Sequence, residues 1–130
     1  MDAFMLVLDV SRKATAHVES CEKEVKRREE KIEKLKHSLE YLQLLIRHKE
    51  HHFTGTLRGN CMHLDCPWRG PYDLDTLKAS IEEDKAKGKK YKANLPDQYK
   101  KLQVAQLEVK AAHLAATAIS NAAATKHLTM

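Results

Sequence analysis

The chain has 130 residues, a length typical of one domain, but only 5% are aromatic while 32% are charged. This composition, with four Gly and three Pro, argues against an ordinary globule and favours long helices. Three irregularly spaced cysteines do not fit a secreted disulfide framework, and no apolar stretch reaches the length of a membrane span. We therefore expect an intracellular protein, cytoplasmic or nuclear, with no membrane partner. Its net charge of +5 permits an acidic partner such as nucleic acid without requiring one.

The first predicted region, 1–52, is an N-terminal segment followed by a long helix. Residues 1–10 lack the basic start and the cleavage site of a signal peptide, and their pattern fits a helical extension or a short strand. Apolar residues then recur at intervals of three and four for more than four heptads, which predicts a coiled coil. β-Branched residues at a and leucines at d favour a parallel homodimer. The predicted dimer seam is Val18, Cys21, Val25, Arg28, Ile32, Leu35, Leu39, Leu42 and Ile46.

The most specific motif begins at the end of this helix and continues into a predicted zinc-binding loop, 53–72. Two histidines stand one helical turn apart, and two cysteines follow in a stretch that contains most of the glycines. Imidazole and thiolate are ligands that Zn²⁺ prefers, four to a tetrahedral structural site. We therefore predict Zn²⁺ as the cofactor. The predicted ligands are His48, His52, Cys61 and Cys66, with His51 and His63 as alternates for one histidine.

Other chemistries of the same motif are open or disfavoured. A Cys61–Cys66 disulfide or free thiols would leave the histidines as a polar helix end. A metalloprotease helix needs Glu directly after its first histidine, where this chain has Lys49. Four protein ligands also leave no open position for a substrate. We therefore predict that the protein is not an enzyme. We also expect the aromatic side chains of Trp68 and Phe53 to cover the metal.

The third predicted region, 73–130, contains two helices. Asp73 is a suitable N-cap for a short helix, which Gly88 could end. The lysine-rich segment 85–92 then reads as a flexible basic connector. A long, alanine-rich helix follows, with Pro96 in its first turn. Its predicted apolar seam is Val104, Leu107, Ala111, Leu114 and Ala118.

These elements predict an all-α fold. The long first helix and the alanine-rich helix have comparable lengths, so a chain reversal would make an elongated helical hairpin. Two hairpins could dimerise into a bundle, in parallel or antiparallel orientation. Cys21, at a d position of the seam, is expected to be a core residue.

Two functions remain open. The leading hypothesis is a homodimeric, zinc-stabilised scaffold or regulatory protein-interaction module, because the heptads come without any catalytic constellation. The alternative is a small zinc-containing nucleic-acid-binding regulator, for example a viral one, although the basic segment could also be a solvated connector. The basic residues of this alternative are Lys85, Lys87, Lys89, Lys90, Lys92, Arg58 and Arg69.

Overall fold

The computed structural model describes residues 3–55, 61, 65–70 and 72–129, with only the backbone for 123 and 125–129. Two helices account for most of it: α1, Ala3–Phe53, and α2, Leu74–Thr129. The described residues include no strand, which confirms the all-α prediction. Residues 3–10, left open between helix and strand, are the start of α1. Neither helix has a described stretch long and apolar enough to cross a membrane.

The predicted break in the C-terminal region is wrong, because α2 continues through both Gly88 and Pro96. Residues 85–92 are therefore helical, and the short helix and the alanine-rich helix are one element. Local propensity opposes this: Gly costs about 1 kcal/mol and Pro about 3 kcal/mol in a helix interior. Packing outweighs propensity, since buried and half-buried positions keep their 3–4 spacing through Ile81, Gly88 and Leu95.

The chain forms two compact units, and each helix contributes a segment to both. Residues 1–32 and 97–130 make one, here called the alanine unit; residues 33–96 make the other, here called the metal-site unit. The regions predicted from the sequence follow chain order: 1–52, 53–72 and 73–130. The compact units instead combine residues far apart in sequence, because the two helices pack against each other as an antiparallel hairpin within each of them.

The alanine unit has a thin core. Val18 and Cys21 of α1 contact Ala112 of α2, and Val109 and Ala116 pack beside them. Cys21 is thus a buried core residue with a free thiol, as expected. At the rim, Glu22 of α1 lies 3.1 Å from the ring of His113 in α2.

The predicted seam of α2 is wrong by one residue. Val104, Leu107 and Leu114 are 54%, 57% and 72% exposed, while Ala105 and Ala112 are buried. Two stripes with the same 3–4 spacing run side by side on this helix, so spacing alone could not choose between them. The stripe with smaller side chains faces α1, because alanine lets two helix backbones approach closely.

The nine seam positions of α1 are all buried or half-buried within a single chain. Arg28, which interrupts their apolar pattern, points its guanidinium Nε to Glu24 Oε1 at 2.8 Å. A heptad pattern specifies a buried stripe but not which helix covers it. Here α2 of the same chain does so, and pairing with a second chain stays a prediction.

Candidate metal centre

The end of α1 sets the direction of the chain into the centre. The amide of Thr54 donates to the carbonyl of Glu50, and the amide of Gly55 donates to that of His52. Gly55 has a φ of 74°, a left-handed conformation in which a side chain would be strained. This glycine cap ends the helix just after His52, so that both histidines project from its last turns.

The structure brings together the four side chains predicted as ligands. His48, His52, Cys61 and Cys66 each offer one atom, and these atoms lie within 4.8 Å of one another. His48 Nε2 is 3.2 Å from His52 Nε2 and 3.2 Å from Cys66 Sγ. Cys66 Sγ is 3.4 Å from His52 Nε2, and Cys61 Sγ is 3.7 Å from His48 Nε2. The cysteines form no disulfide.

These distances match the edges of a metal tetrahedron. Bond lengths of 2.0–2.1 Å to nitrogen and 2.3 Å to sulfur give edges of about 3.3 Å between nitrogens and about 3.6 Å between nitrogen and sulfur. Each histidine presents the same atom, Nε2, to the common point. Hydrogen bonding does not account for such convergence, because His48 Nε2 contacts three of these atoms, whereas a ring nitrogen has only one proton or one lone pair to offer. The donor set and its spacing both fit a tetrahedral ion.

A tight turn presents the second cysteine. The amide of Arg69 donates to the carbonyl of Cys66 over 3.3 Å, closing a turn through Pro67. Burial raises the pKa of the Cys66 thiol, and the backbone N–H of Trp68, hydrogen-bonded to Cys66, opposes that rise. The turn thus places the Trp68 N–H as a hydrogen-bond donor to the Cys66 thiolate, which burial otherwise disfavours. A cation at the common point would compensate for this burial, as metal ions do for coordinating thiols.

His52 is the most enclosed histidine among the residues that the structure describes. Burial lowers its pKa, which favours the neutral imidazole that a metal requires. The hydroxyl of Tyr72 donates to the carbonyl of His52, and the two rings meet edge to face at 6.1 Å. Trp68 in turn packs edge to face on Tyr72 at 6.0 Å. Tyr72 and, behind it, Trp68 therefore pack beside His52, whereas Phe53, the other predicted covering residue, is 42% exposed.

A buried ion pair beside the centre was missed by sequence reasoning. Lys49 Nζ lies 2.6 Å from Asp84 Oδ2 and 2.8 Å from Ser80 Oγ, with the two charged side chains only 12% and 9% exposed. This contact ties the last turns of α1 to α2. A signal was present: Lys49 extends the heptads of α1, and Asp84 extends the 3–4 spacing of Leu77 and Ile81. A basic residue at an interior position of one helix and an acidic residue at an interior position of the other indicate such a pair.

The remaining predicted site residues lie outside the ligand group or outside the described residues. His51 is exposed and does not join the ligand group. His63 and Arg58 lie outside the described residues. Arg69 is exposed in the turn after Cys66, whereas Lys85, Lys87, Lys89, Lys90 and Lys92 are exposed along α2.

An open, mainly apolar groove of about 770 Å³ borders the centre. Its walls include the predicted ligands His48 and Cys66, and its rim carries Tyr41 and Leu44, which are largely exposed. Surface apolar side chains around a concave site are typical of interaction surfaces.

The comparisons with known proteins give no relative from which to transfer a function. No protein-family model matches the chain, and neither the curated proteins nor the solved structures gave a significant match.

Proposed function

We propose that the centre binds one Zn²⁺ as a structural ion, held by His48, His52, Cys61 and Cys66. The observation that carries this proposal is the agreement between four of the inter-ligand distances, 3.2–3.7 Å, and the nitrogen–nitrogen and nitrogen–sulfur edges of a zinc tetrahedron. Two imidazoles and two thiolates select a borderline-soft ion over Mg²⁺ or Ca²⁺, which prefer oxygen. The ion would join the end of α1 to the loop that leads into α2.

We also propose that the centre has no catalytic role. Four protein ligands complete the coordination that zinc adopts in structural sites, whereas catalytic zinc keeps a position for water or substrate. The titratable pair of Lys49 and Asp84 is buried in mutual contact. The closed ligand set therefore supports a stabilising function.

Metal analysis tests this proposal. Purified protein should contain one zinc per chain, and its Co²⁺ form should show the absorption of a tetrahedral site with thiolate ligands. Cys66→Ser and His52→Ala should each abolish stoichiometric binding. The matched controls His51→Ala and Cys21→Ser change the same residue types outside the group and should retain the metal. A metal-free protein with a Cys61–Cys66 disulfide, purified under reducing and metal-replete conditions, would refute the site.

For the protein as a whole, we propose a homodimeric scaffold or interaction module. The α1 seam is already covered within the chain, so the second copy is expected on the exposed stripe of Val104, Leu107 and Leu114. Its 3–4 spacing is self-complementary, and alanines at 111 and 118 allow close approach of an identical helix. Sedimentation should give a dimer that Leu107→Glu with Leu114→Glu converts to a monomer, while Gln106→Glu has no effect. A wild-type monomer at micromolar concentration would contradict the arrangement.

A second candidate, nucleic-acid binding, is favoured by the position of the charge. The segment 85–92 contains five lysines and no acid, which equals the net charge of +5 of the whole chain. The rest of the sequence holds 18 basic and 18 acidic residues, so it is neutral overall. Binding by this segment should weaken steeply with salt. Charge reversal at Lys87, Lys89 and Lys90 should abolish it, and unchanged binding would exclude the segment.

A further inference from the structure

The continuous course of α2 arranges the five lysines in a definite pattern. At about 100° per residue, Lys85, Lys89 and Lys92 fall within about 60° of one another on the helix surface. Lys87 and Lys90 form a second row, separated from the first by about 100° or more. A flexible connector would not fix such rows, so this pattern depends on the helix having no break at Gly88.

Between the two rows lies a crest of small side chains. Ala86 and Ala93 are one heptad apart, point in nearly the same direction and are both exposed. The opposite edge of the helix, through Gly88 and Tyr91, is half-buried and faces α1. The crest therefore projects away from the hairpin with only methyl groups on it.

This shape and charge suit the major groove of duplex DNA. The groove is about 12 Å wide and admits an α-helix, with a phosphate backbone on each side. A crest of methyl groups would let the helix enter, and each lysine row would then face one strand. Lysine is a point-charge phosphate ligand without the planar fork that arginine uses to read guanine. We propose that residues 85–93 of α2 bind B-form DNA in its major groove through phosphate contacts, without sequence preference.

The same observations disfavour other polyanions. The major groove of A-form RNA is deep and narrow, which excludes a helix of this width. Single strands are commonly held by aromatic stacking, but Tyr91 is half-buried on the side towards α1. Lipid surfaces are bound with inserted apolar side chains, and the described α2 exposes no large apolar side chain between residues 75 and 98.

Two of the lysines have exposed partners that DNA would replace. Lys85 Nζ lies 3.5 Å from Glu50, and Lys87 Nζ lies 3.7 Å from Glu83. These side chains are about half exposed or more, so the pairs are weak and exchange readily with phosphate. Glu82 and Glu83 precede the segment and limit the basic surface at its N-terminal side.

The inference rests on the second candidate function, so the experiment separates the two. Fluorescence anisotropy would measure binding of the zinc-loaded full chain to a short DNA duplex, the matching RNA duplex, the single strand, heparin and anionic vesicles. We expect the DNA duplex to bind most tightly, with a log–log salt slope of about −4.5 for five phosphate contacts. Lys89→Glu with Lys90→Glu, one from each row, should weaken binding at least about tenfold.

A crest variant tests the groove itself. Ala86→Trp keeps every charge but fills the space that the groove floor would occupy, so duplex affinity should fall about tenfold while heparin affinity holds. Ala115→Trp, at an exposed alanine of the alanine unit, is the control and should change neither. Helix content and zinc content are checked for each variant.

Each outcome is decisive. Tightest binding of the DNA duplex together with the selective loss in Ala86→Trp supports the inference. Equal binding of all nucleic acids and heparin, with no effect of Ala86→Trp, overturns groove insertion and leaves the second candidate standing. Preference for RNA, single strands or vesicles also overturns it. Absence of binding to every probe refutes both groove insertion and nucleic-acid binding.

Discussion

The two compact units show different ways of holding the same pair of helices. In the metal-site unit the contacts include polar groups with specific partners, namely the four side chains of the candidate metal centre and the Lys49–Asp84 pair, and this unit also contains the fully buried Leu77. In the alanine unit the core is made of small apolar side chains such as Val18 and Ala112. Helix-to-helix packing is thus specified by partner chemistry in one unit and by side-chain size in the other.

This difference predicts different kinds of sensitivity. A buried charged or metal-ligating side chain has no alternative partner. Removing one residue of the ion pair or of the ligand group therefore leaves the remaining side chains unsatisfied. A thin apolar core loses little when one methyl group is removed, but it has no room for a larger side chain. Each of the following changes should therefore affect one unit, and a matched control should have little effect.

Removal of the metal should have the largest effect. Binding at only 100 times the dissociation constant already contributes about 2.7 kcal/mol, and structural zinc commonly contributes more. A chelator should therefore accelerate amide exchange about a hundredfold or more near residues 48–55 and 72–81. Hydrogen-exchange mass spectrometry would show this, with residues 105–116 of the alanine unit as the internal control. A uniform acceleration along the chain would contradict the separation into units.

Breaking the buried ion pair comes next. Asp84→Ala leaves the ammonium of Lys49 buried without its carboxylate, which should lower the free energy of unfolding by about 3–5 kcal/mol. Urea unfolding of zinc-loaded protein measures the change. The control is Glu83→Ala, one residue away, which removes an exposed pair with Lys87 and should cost no more than about 0.5 kcal/mol. Equal effects of the two substitutions would show that the Lys49–Asp84 contact has no special energetic role.

Enlarging an alanine tests the other unit. Ala112 is buried against Val18 and Cys21, so Ala112→Leu should force the helices apart and cost about 1–3 kcal/mol. Ala111→Leu places the same side chain on the exposed stripe and should change monomer stability by less than about 0.5 kcal/mol. Thermal unfolding at low concentration would compare them. A larger cost for Ala111→Leu than for Ala112→Leu would instead support the predicted α2 seam through Ala111.

The sequence predicted features whose cause is local. The i, i+4 spacing of His48 and His52 and the short separation of Cys61 and Cys66 are sufficient to make the ligands converge once α1 ends. The unbroken heptads likewise indicated a long first helix. These features need no knowledge of what packs against them.

Features that depend on packing were not predictable in the same way. Whether Ala105 or Val104 faces α1 is decided by how closely two backbones approach, and the 3–4 spacing is the same for both. Gly88 and Pro96 signal a break locally, but contacts on the buried face of α2 carry the helix through. The Lys49–Asp84 pair joins residues 35 apart, and only the antiparallel course of the helices brings them together.

The smallest expected effect concerns the helical glycine itself. A Cβ at position 88 would meet Leu42 Cδ2 at 3.6 Å, an ordinary van der Waals contact. Because the backbone there is helical, Gly88→Ala should raise the free energy of unfolding by about 0.5–1 kcal/mol through reduced entropy of the unfolded chain. The reverse change at the exposed crest, Ala86→Gly, should lower it by about the same amount. If residues 85–92 were instead the flexible connector, Gly88→Ala would leave the urea midpoint unchanged, because no helical conformation would be there to favour.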